Sequence, residues 1–218
     1  MNDVVRRGAR IYSKPVLGAY DLLVVRLSNS VAWRCPRHLM LELYNCYLGP
    51  RHLDVGPGTG WYLAHAHRVP ASQITLMDLN PHSLDSASAH LGAVEHRTVV
   101  ADVLDPLPES IGPMDSIAAN FLIHCLPGSW SEKGTAFRHL ADRLSDEGVL
   151  FGATILGRGV DHNLVGQGLM ALYNTIGVFQ NRDDDARGLE AALRLSFQDV
   201  TVRVVGTVAL FTARRPWR

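Results

Sequence analysis

The feature that most constrains the fold is a glycine-rich turn placed between a short apolar run and a helical pattern. Residues 53–60 read Leu-Asp-Val-Gly-Pro-Gly-Thr-Gly, and a helix is expected over residues 61–67. Glycines accept positive φ angles and let a ligand approach the backbone closely, and free N–H groups at a helix start attract an anionic group. A bare strand-to-helix turn does not need three alternate glycines. The segment therefore predicts a strand, a ligand-binding turn and a helix.

Alternating strand and helix patterns continue after this turn. Strands are predicted at 52–55, 73–77, 98–101, 116–119 and 148–155, and helices at 61–67, 83–90 and 133–144. Repeated units of this kind require a mainly parallel sheet with helices on both faces. Helices at 162–176 and 184–195 then precede strands at 200–205 and 208–212, whose Gly206-Thr207 connection suits a type II′ hairpin turn. The prediction is an α/β, doubly wound, seven-stranded sheet that ends in an antiparallel hairpin.

The part of the chain before this alternation reads as mostly helical. Residues 37–47 place apolar side chains near helical spacing, and Gly49-Pro50 ends the pattern. A chain of 218 residues fits one domain with a full core. We therefore predict a single domain over 1–218, with a helical cap at 1–48 and an α/β core at 49–218.

Composition narrows the class of protein. Hydrophobic residues make up 47% and charged residues 19% of the chain, a globular mixture, and 21 Lys and Arg balance 21 Asp and Glu. Because a protein that binds nucleic acid usually carries an excess of basic residues, this balance argues against nucleic acid as a partner. The three cysteines lie far apart, which predicts neither a disulfide framework nor a zinc cluster. No apolar run is long enough for a signal peptide or a membrane span. The expectation is a soluble, cytoplasmic protein, with its oligomeric state left open.

The topology and the glycine turn together resemble the class I, Rossmann-like S-adenosylmethionine-dependent methyltransferases. The resemblance covers about residues 51–212 and rests on an acidic residue followed by GxGxG. A nicotinamide-binding turn would read GxGxxG, but position 61 is Trp61. The resemblance implies S-adenosylmethionine as methyl donor and S-adenosylhomocysteine as product. No metal is expected, because no spaced set of Asp, Asp and Asn stands out, although metal-dependent catechol-type enzymes remain an alternative. The resemblance also places the following residues against the donor: Asp54, Gly56, Pro57, Gly58 and Gly60.

The end of the second strand provides the next predicted donor contact. Asp78 lies 18 residues after Gly60, within the sequence Leu-Met-Asp-Leu-Asn that also contains Leu79 and Asn80. A carboxylate at this place can accept hydrogen bonds from both ribose hydroxyls of a bound nucleoside. The alternative is an Asp78 that only caps the helix beginning after Pro81.

The ends of the third and fourth strands complete the predicted donor site. By resemblance, Asp102 accepts the exocyclic amine of adenine, and Val103 packs on the ring. Asn120 ends the fourth strand, where ligands bind in such sheets. The residues after it, Phe-Leu-Ile, lack the prolines of the [DN]PP[YF] pattern. Methyltransferases that act on exocyclic amines of nucleic acids or on amide nitrogens often carry that pattern, so its absence counts against those substrates.

His124 is the candidate catalytic base, because an imidazole titrates near neutrality and can take a proton from a hydroxyl or an amine. The alternative is a histidine packed near the donor. Two groups of residues could line the acceptor pocket, one in the cap and one in the insertion before the sixth strand. They are Tyr12, Tyr20 and Trp33 in the cap, and His162 and Tyr173 in the insertion.

The implied reaction is methyl transfer to a small-molecule acceptor such as a secondary metabolite. Because the donor is intrinsically reactive, positioning and desolvation can supply much of the catalysis. Two alternatives stay open, a methyltransferase that acts on RNA or protein and a non-methylating protein of the same fold. The acidic run at 183–185 is expected to cap the following helix rather than to bind a metal.

Overall fold

The computed structural model describes residues 28–67 and 73–218 of the chain. Two of the predicted acceptor contacts, Tyr12 and Tyr20, lie outside these residues. Within the described ranges no helix is both long and apolar enough to cross a membrane.

Seven strands and six α-helices alternate along the described chain. The strands are β1 (Arg51–Val55), β2 (Gln73–Asp78), β3 (His96–Val100), β4 (Met114–Asn120), β5 (Leu144–Ile155), β6 (Phe197–Val205) and β7 (Val208–Pro216). The helices are α1 (His38–Tyr47), α2 (Trp61–His65), α3 (Pro81–Leu91), α4 (Trp130–Ala141), α5 (Leu164–Ile176) and α6 (Ala186–Arg194). A π-helical turn at Ser28–Ala32 precedes α1, and a 3-10 turn at Ile123–Cys125 follows β4.

The strands form one sheet in the order β3-β2-β1-β4-β5-β7-β6. The first five strands are parallel, and β7 is antiparallel to both β5 and β6. The predicted seven-stranded sheet with a terminal hairpin is confirmed, and Gly206 in the hairpin turn has the positive φ, +59°, that a type II′ turn needs at its first position. Strand order reverses between β1 and β4, so ligands should bind at the carboxyl ends of these two strands.

Capping residues account for the helix ends that the sequence pattern misplaced. Helix α3 begins at Pro81, before the predicted residue 83, because Asn80 caps it and proline suits the first helical position. Helix α4 begins at Trp130 rather than at residue 133, because Ser129 and Glu132 form a capping box. Helix α2 ends at His65, two residues early, because Ala66 is extended.

Helix α1 lies across one face of the sheet and runs from its carboxyl edge to its amino edge. At the carboxyl edge, the Thr207 N–H in the hairpin turn donates to the Trp33 carbonyl oxygen, 2.9 Å away. At the amino edge, the Gly49 N–H donates to Ser116 Oγ at 2.8 Å, and Ser116 pairs with His52 in β1. The described part of the cap therefore connects both edges of the sheet, and the division of 1–218 into cap and core stays a prediction.

Candidate active site

The glycine turn after β1 has the backbone that the sequence predicted. Gly56, Gly58 and Gly60 all have positive φ, at +66°, +57° and +73°. A Cβ on Gly56 would lie 2.9 Å from Leu122 Cδ1, and one on Gly60 would lie 2.9 Å from the Cα of Ala87 in α3. A Cβ on Gly58 would have nothing within 4 Å. Packing against the Ala87 backbone therefore requires glycine at position 60, and a side chain at position 56 would displace Leu122, whereas Gly58 faces open space that a ligand can enter.

The backbone donors of the turn differ in whether they have a partner. The Gly60 N–H closes the turn by donating to the Pro57 carbonyl oxygen at 2.8 Å. The N–H groups of Gly58 and Thr59 make no hydrogen bond to another described residue. Because α2 has only five residues, its dipole is weak, and these two backbone N–H groups are the stronger feature for a polar ligand.

Asp54 lies beneath this turn, at the end of β1. It is 1% exposed, and the Tyr44 hydroxyl of α1 donates a hydrogen bond to Asp54 Oδ2 at 2.9 Å. Burial raises the pKa of Asp54 to about 7; the Tyr44 hydrogen bond opposes this shift, and the charge of Asp78 adds to it. Such a carboxyl gains a strong partner when a cationic group binds beside it. Sequence reasoning missed Tyr44, because nothing in a helical pattern shows which distant strand a side chain will meet.

Asn120 ends β4, the strand next to β1. Its side chain is buried, and neither amide atom makes a hydrogen bond of normal geometry with a described residue, although Tyr44 is near enough for the amide to lower the pKa of its hydroxyl. An unpaired buried amide costs about 1–3 kcal/mol, so such groups are rare in folded proteins unless a ligand or water pairs with them. This unpaired amide fits a ligand that reaches the switch point between β1 and β4.

Asp78 ends β2, on the other side of β1. Its Oδ1 accepts the Asn80 N–H at 2.8 Å, and burial raises its pKa to about 6 against the opposing effect of this and other hydrogen bonds. The cap of α3 is Asn80, whose side chain accepts the His82 N–H at 3.0 Å. Asp78 is therefore not the N-cap of α3, although its side chain also meets Ser83 in the first turn of this helix. Leu79, between Asp78 and Asn80, is half-buried.

The turn after β3 lies next to Asp78. The Ala101 N–H donates to the Asp78 carbonyl oxygen at 3.2 Å, and Asp102 Oδ1 accepts the Leu104 N–H at 2.9 Å. Val103 is buried in the main hydrophobic core. The structure thus brings the turn that carries Asp102 and Val103 to the same edge of the sheet as Asp78.

His124 occupies the 3-10 turn after β4 and is almost fully buried. Its Nδ1 lies 3.4 Å from both Thr154 Oγ1 and the Ile155 backbone nitrogen. Burial, with a smaller contribution from the charge of Lys133, lowers the pKa of His124 to about 3. An imidazole that is so difficult to protonate is a weak proton acceptor near neutrality. This environment argues for the alternative, a histidine packed in the wall of the site.

His124 belongs to an aromatic cluster made of Trp33, His124, His162, Tyr173 and Phe179. The ring of Phe179 lies 4.5 Å from that of His124, 4.8 Å from that of Tyr173 and 6.1 Å from that of Trp33, measured between centroids. Trp33 in turn lies 6.1 Å from His162. The fold thus assembles three predicted site residues around Phe179 and a fourth, His162, against Trp33. Sequence reasoning missed Phe179, which lies in a loop where no periodicity marks it.

A buried ion pair holds the loop that carries Phe179. Lys133 of α4 is fully buried, and its Nζ lies 2.5 Å from Asp184 Oδ2 and donates to the Gln180 carbonyl oxygen at 2.9 Å. The Gln180 N–H donates to the His124 carbonyl oxygen at 2.8 Å. Burial lowers the pKa of Lys133 and raises that of Asp184. These contacts fix Phe179 relative to His124.

The acidic run at 183–185 has the structural role that the sequence favoured. Asp185 caps α6, because its side chain accepts the Gly188 N–H at 2.6 Å. Asp184 is the partner of Lys133, and Asp183 is an exposed neighbour of Arg158. In the parts of the chain that the structure describes, no three His, Cys, Asp or Glu side chains are grouped as metal ligands.

Comparison with known proteins agrees with this geometry. The family model for a methyltransferase domain matches residues 53–150. The physcion biosynthesis cluster O-methyltransferase of Aspergillus chevalieri is 39% identical over 96% of each chain. The uncharacterized protein YbcY of Escherichia coli K12 is 46% identical over 86% of this chain and 97% of its own length.

Among solved structures, the complex of DhpI with S-adenosylhomocysteine has a TM-score of 0.70 at 16% identity, over 99% of this chain and 98% of that one. At 16% identity this structural match supports the fold alone. Membership of the family rests on the sequence relatives, such as the one that is 39% identical. The chain therefore belongs to the class I S-adenosylmethionine-dependent methyltransferases and is an enzyme that takes its methyl group from S-adenosylmethionine.

Proposed function

We propose that this enzyme transfers the methyl group to a hydroxyl of an aromatic small molecule. The observation that carries the proposal is the position of the aromatic cluster, since its member His124 lies four residues after Asn120, whose side-chain amide is unpaired. The rings of this cluster meet edge-on or tilted, and an aromatic wall of this kind suits a planar apolar acceptor. The relative from Aspergillus chevalieri, named as an O-methyltransferase of a biosynthesis cluster, supports a hydroxyl as the attacking group.

The donor binds along the carboxyl ends of β1, β2, β3 and β4. When bound, it supplies an electrophilic methyl group on a sulfonium sulfur. In our proposal Asp78 accepts the ribose hydroxyls, and Asp102 with Val103 holds the adenine. Asp54, Asn120 and the backbone of the glycine turn bind the amino-acid end, and Leu79 and Asn80 support the ribose side.

The acceptor lies against the aromatic cluster, where Trp33, His162, Tyr173 and Phe179 shield one face of it from water and orient it, while its hydroxyl stays within reach of solvent. His124 is part of the wall rather than the proton acceptor, because its pKa of about 3 makes it a weak base. The hydroxyl then loses its proton to solvent, and the rate comes from positioning and desolvation. Tyr12 and Tyr20 stay predicted acceptor contacts of the cap.

A small acceptor and a cytoplasmic location complete the proposal. Equal numbers of basic and acidic residues, 21 each, support an acceptor other than nucleic acid. Unpaired cysteines support a reducing compartment: among the described residues Cys35, Cys46 and Cys125 are free thiols.

Ligand binding and product analysis test this function together. We expect S-adenosylmethionine and S-adenosylhomocysteine each to bind and to raise the unfolding temperature, because a ligand selective for the native state stabilises it. With S-adenosylmethionine and a panel of hydroxylated aromatic compounds, mass spectrometry should detect a product heavier by one methyl group. A folded protein that binds neither compound in calorimetry would contradict the proposal.

The raised pKa of Asp54 predicts that donor binding depends on pH. In the ligand-free protein this carboxyl titrates near pH 7, and a bound ammonium favours its ionised form. Binding should therefore weaken as pH falls from about 8 to about 5.5, and near pH 6.5 it should release a proton. Calorimetry of S-adenosylhomocysteine binding in two buffers with different ionisation heats measures the proton count. Equal heats in the two buffers would contradict the assignment.

A further inference from the structure

Lys133 and Asp184 form a buried ion pair that the proposed reaction does not use. Their side chains are 0% and 4% exposed, and Lys133 Nζ lies 2.5 Å from Asp184 Oδ2. The cost of desolvating two charges largely offsets their attraction, so a buried pair adds little net stability over apolar side chains of similar size. Stability alone therefore does not explain why two charges occupy this part of the core.

The pair holds one loop at two points. Residues 177–185 form the loop between α5 and α6, the Phe179 loop. Lys133 Nζ donates to the Gln180 carbonyl oxygen at 2.9 Å as well as to the carboxylate of Asp184, four residues later. An ammonium group has three N–H donors, so one side chain can bind both acceptors. Lys133 lies in the first turn of α4, which its capping box fixes, and the loop is thereby held against this helix.

The same loop also packs directly on the ends of the central strands. The Gln180 N–H donates to the His124 carbonyl oxygen at 2.8 Å, and the Gly157 N–H donates to the Asp184 carbonyl oxygen at 2.9 Å. A Cβ on Gly157 would collide with the Asn181 carbonyl oxygen, so the two backbones are in contact. The pair therefore presses the Phe179 loop onto the segments that follow β4 and β5.

Phe179 lies at the point where this arrangement meets the aromatic cluster. It immediately precedes Gln180, and its own N–H donates to the Tyr173 carbonyl oxygen of α5 at 3.1 Å. Its ring lies 4.5 Å from that of His124. Because the backbone is held by α5 before the ring and by Lys133 after it, the position of the Phe179 ring depends on the ion pair.

We propose that Lys133 and Asp184 are positioning residues for the methyl acceptor, and that they act by holding the Phe179 ring in place. This inference rests on the proposed function, in which the acceptor lies against the aromatic cluster. Neither residue belongs to the proposed donor site, so the pair should affect the acceptor and leave the donor unaffected. A wall contacts the acceptor in the ground state and the transition state alike, so the effect should fall on KM rather than on kcat.

The experiment replaces both charges with apolar side chains, as Lys133→Met together with Asp184→Leu. The probe is the phenol, naphthol or hydroxyanthraquinone that the parent enzyme methylates with the highest kcat/KM. We expect the KM for this probe to rise about tenfold, since small displacements of positioning groups have effects of this order, and kcat to change less than about threefold. The affinity for S-adenosylhomocysteine, measured by calorimetry, should stay that of the parent.

Phe179→Leu tests whether the pair acts through this ring. Alone, it should raise the KM for the same probe and leave the affinity for S-adenosylhomocysteine unchanged. In the Phe179→Leu background, the replacement of the pair should raise KM by less than about twofold, because residues that act through one contact are not additive. Fully additive effects would show that the pair acts elsewhere and would overturn the inference.

Arg51→Met together with Asp115→Leu is the matched control. Arg51 Nη2 also lies 2.5 Å from Asp115 Oδ1, but this pair joins β1 and β4 at their amino ends, far along the strands from the aromatic cluster. The control should keep the KM of the parent. A Lys133 and Asp184 replacement that keeps the parent KM, or that fails to fold, would overturn the inference. A parent enzyme that methylates no compound of the panel would instead contradict the proposed function.

Discussion

Replacing Gly58 with valine is expected to abolish detectable binding of S-adenosylhomocysteine while leaving the protein folded. The open space above the Gly58 position, with nothing within 4 Å of a Cβ, is the space that a ligand on this turn would occupy, and a branched side chain would fill it. The φ of +57° adds backbone strain of about 1–3 kcal/mol, which is less than the usual stability of a domain. Calorimetry measures the binding, and thermal unfolding followed by circular dichroism measures the fold.

Gly92→Val separates the effect on the ligand from the effect of strain. Gly92 follows α3, has a φ of +58°, and also has nothing within 4 Å of a Cβ. It does not belong to the turn, so its valine variant should lose stability and keep the affinity for S-adenosylhomocysteine. If both variants lose affinity to the same degree, strain rather than occupation of the site explains the loss. Gly56 and Gly60 are less suitable, because substitutions there also collide with Leu122 and Ala87.

The sequence predicted the sheet and the glycine turn because both depend on neighbouring residues. Strand patterns, turn glycines and capping residues act within a few positions of one another, and each therefore leaves a local trace. All seven strands were found, and the first glycine of the hairpin turn has the positive φ that its type requires. The predicted starts of α3 and α4 were wrong because they followed the apolar pattern alone. The capping residues Asn80 and Ser129 begin these helices two and three residues earlier.

The contacts that shape the site could not be predicted from local sequence patterns, because they join residues that are distant in the chain. Lys133 and Asp184 are 51 residues apart, and their pairing depends on how α4 and the loop before α6 meet in space. The Tyr44–Asp54 hydrogen bond likewise needs the crossing angle of α1 on the sheet. His124 shows the limit most clearly. Its residue type fitted a base, but burial, which the sequence did not reveal, decides its pKa.

The edge of the sheet is divided into two chemically different halves. Around β1 and β2, buried carboxyls at Asp54 and Asp78 have pKa values raised by burial to about 7 and about 6. Such groups lower stability in the ligand-free protein, because the unfolded chain ionises first as pH rises from about 4 toward 7. Around β5 and the hairpin, the aromatic cluster is apolar and well packed. In our proposal the costly charges lie where the polar donor binds, and the apolar cluster lies where the acceptor is desolvated.

Asp78→Ala is expected to weaken S-adenosylhomocysteine by about 100-fold or more. The variant removes an acceptor for two ribose hydroxyls, and hydrogen bonds to a charged group contribute about 1.5–3 kcal/mol each. Because burial raises the pKa of Asp78 to about 6, the ligand-free variant should be as stable as the parent at neutral pH, or more stable. Calorimetry and thermal unfolding on the same preparation give both quantities.

Asn80→Ala should give the opposite pattern and serves as the control. Its side chain caps α3 through the His82 N–H, so its loss should cost about 0.5–2 kcal/mol of stability. In our proposal Asn80 only supports the ribose side, so its affinity loss should be much smaller than that of Asp78→Ala. Asp78→Asn, which keeps the shape and one acceptor oxygen, should fall between the parent and Asp78→Ala in affinity. An Asp78→Ala protein that loses stability but binds the ligand normally would remove this carboxylate from the donor site.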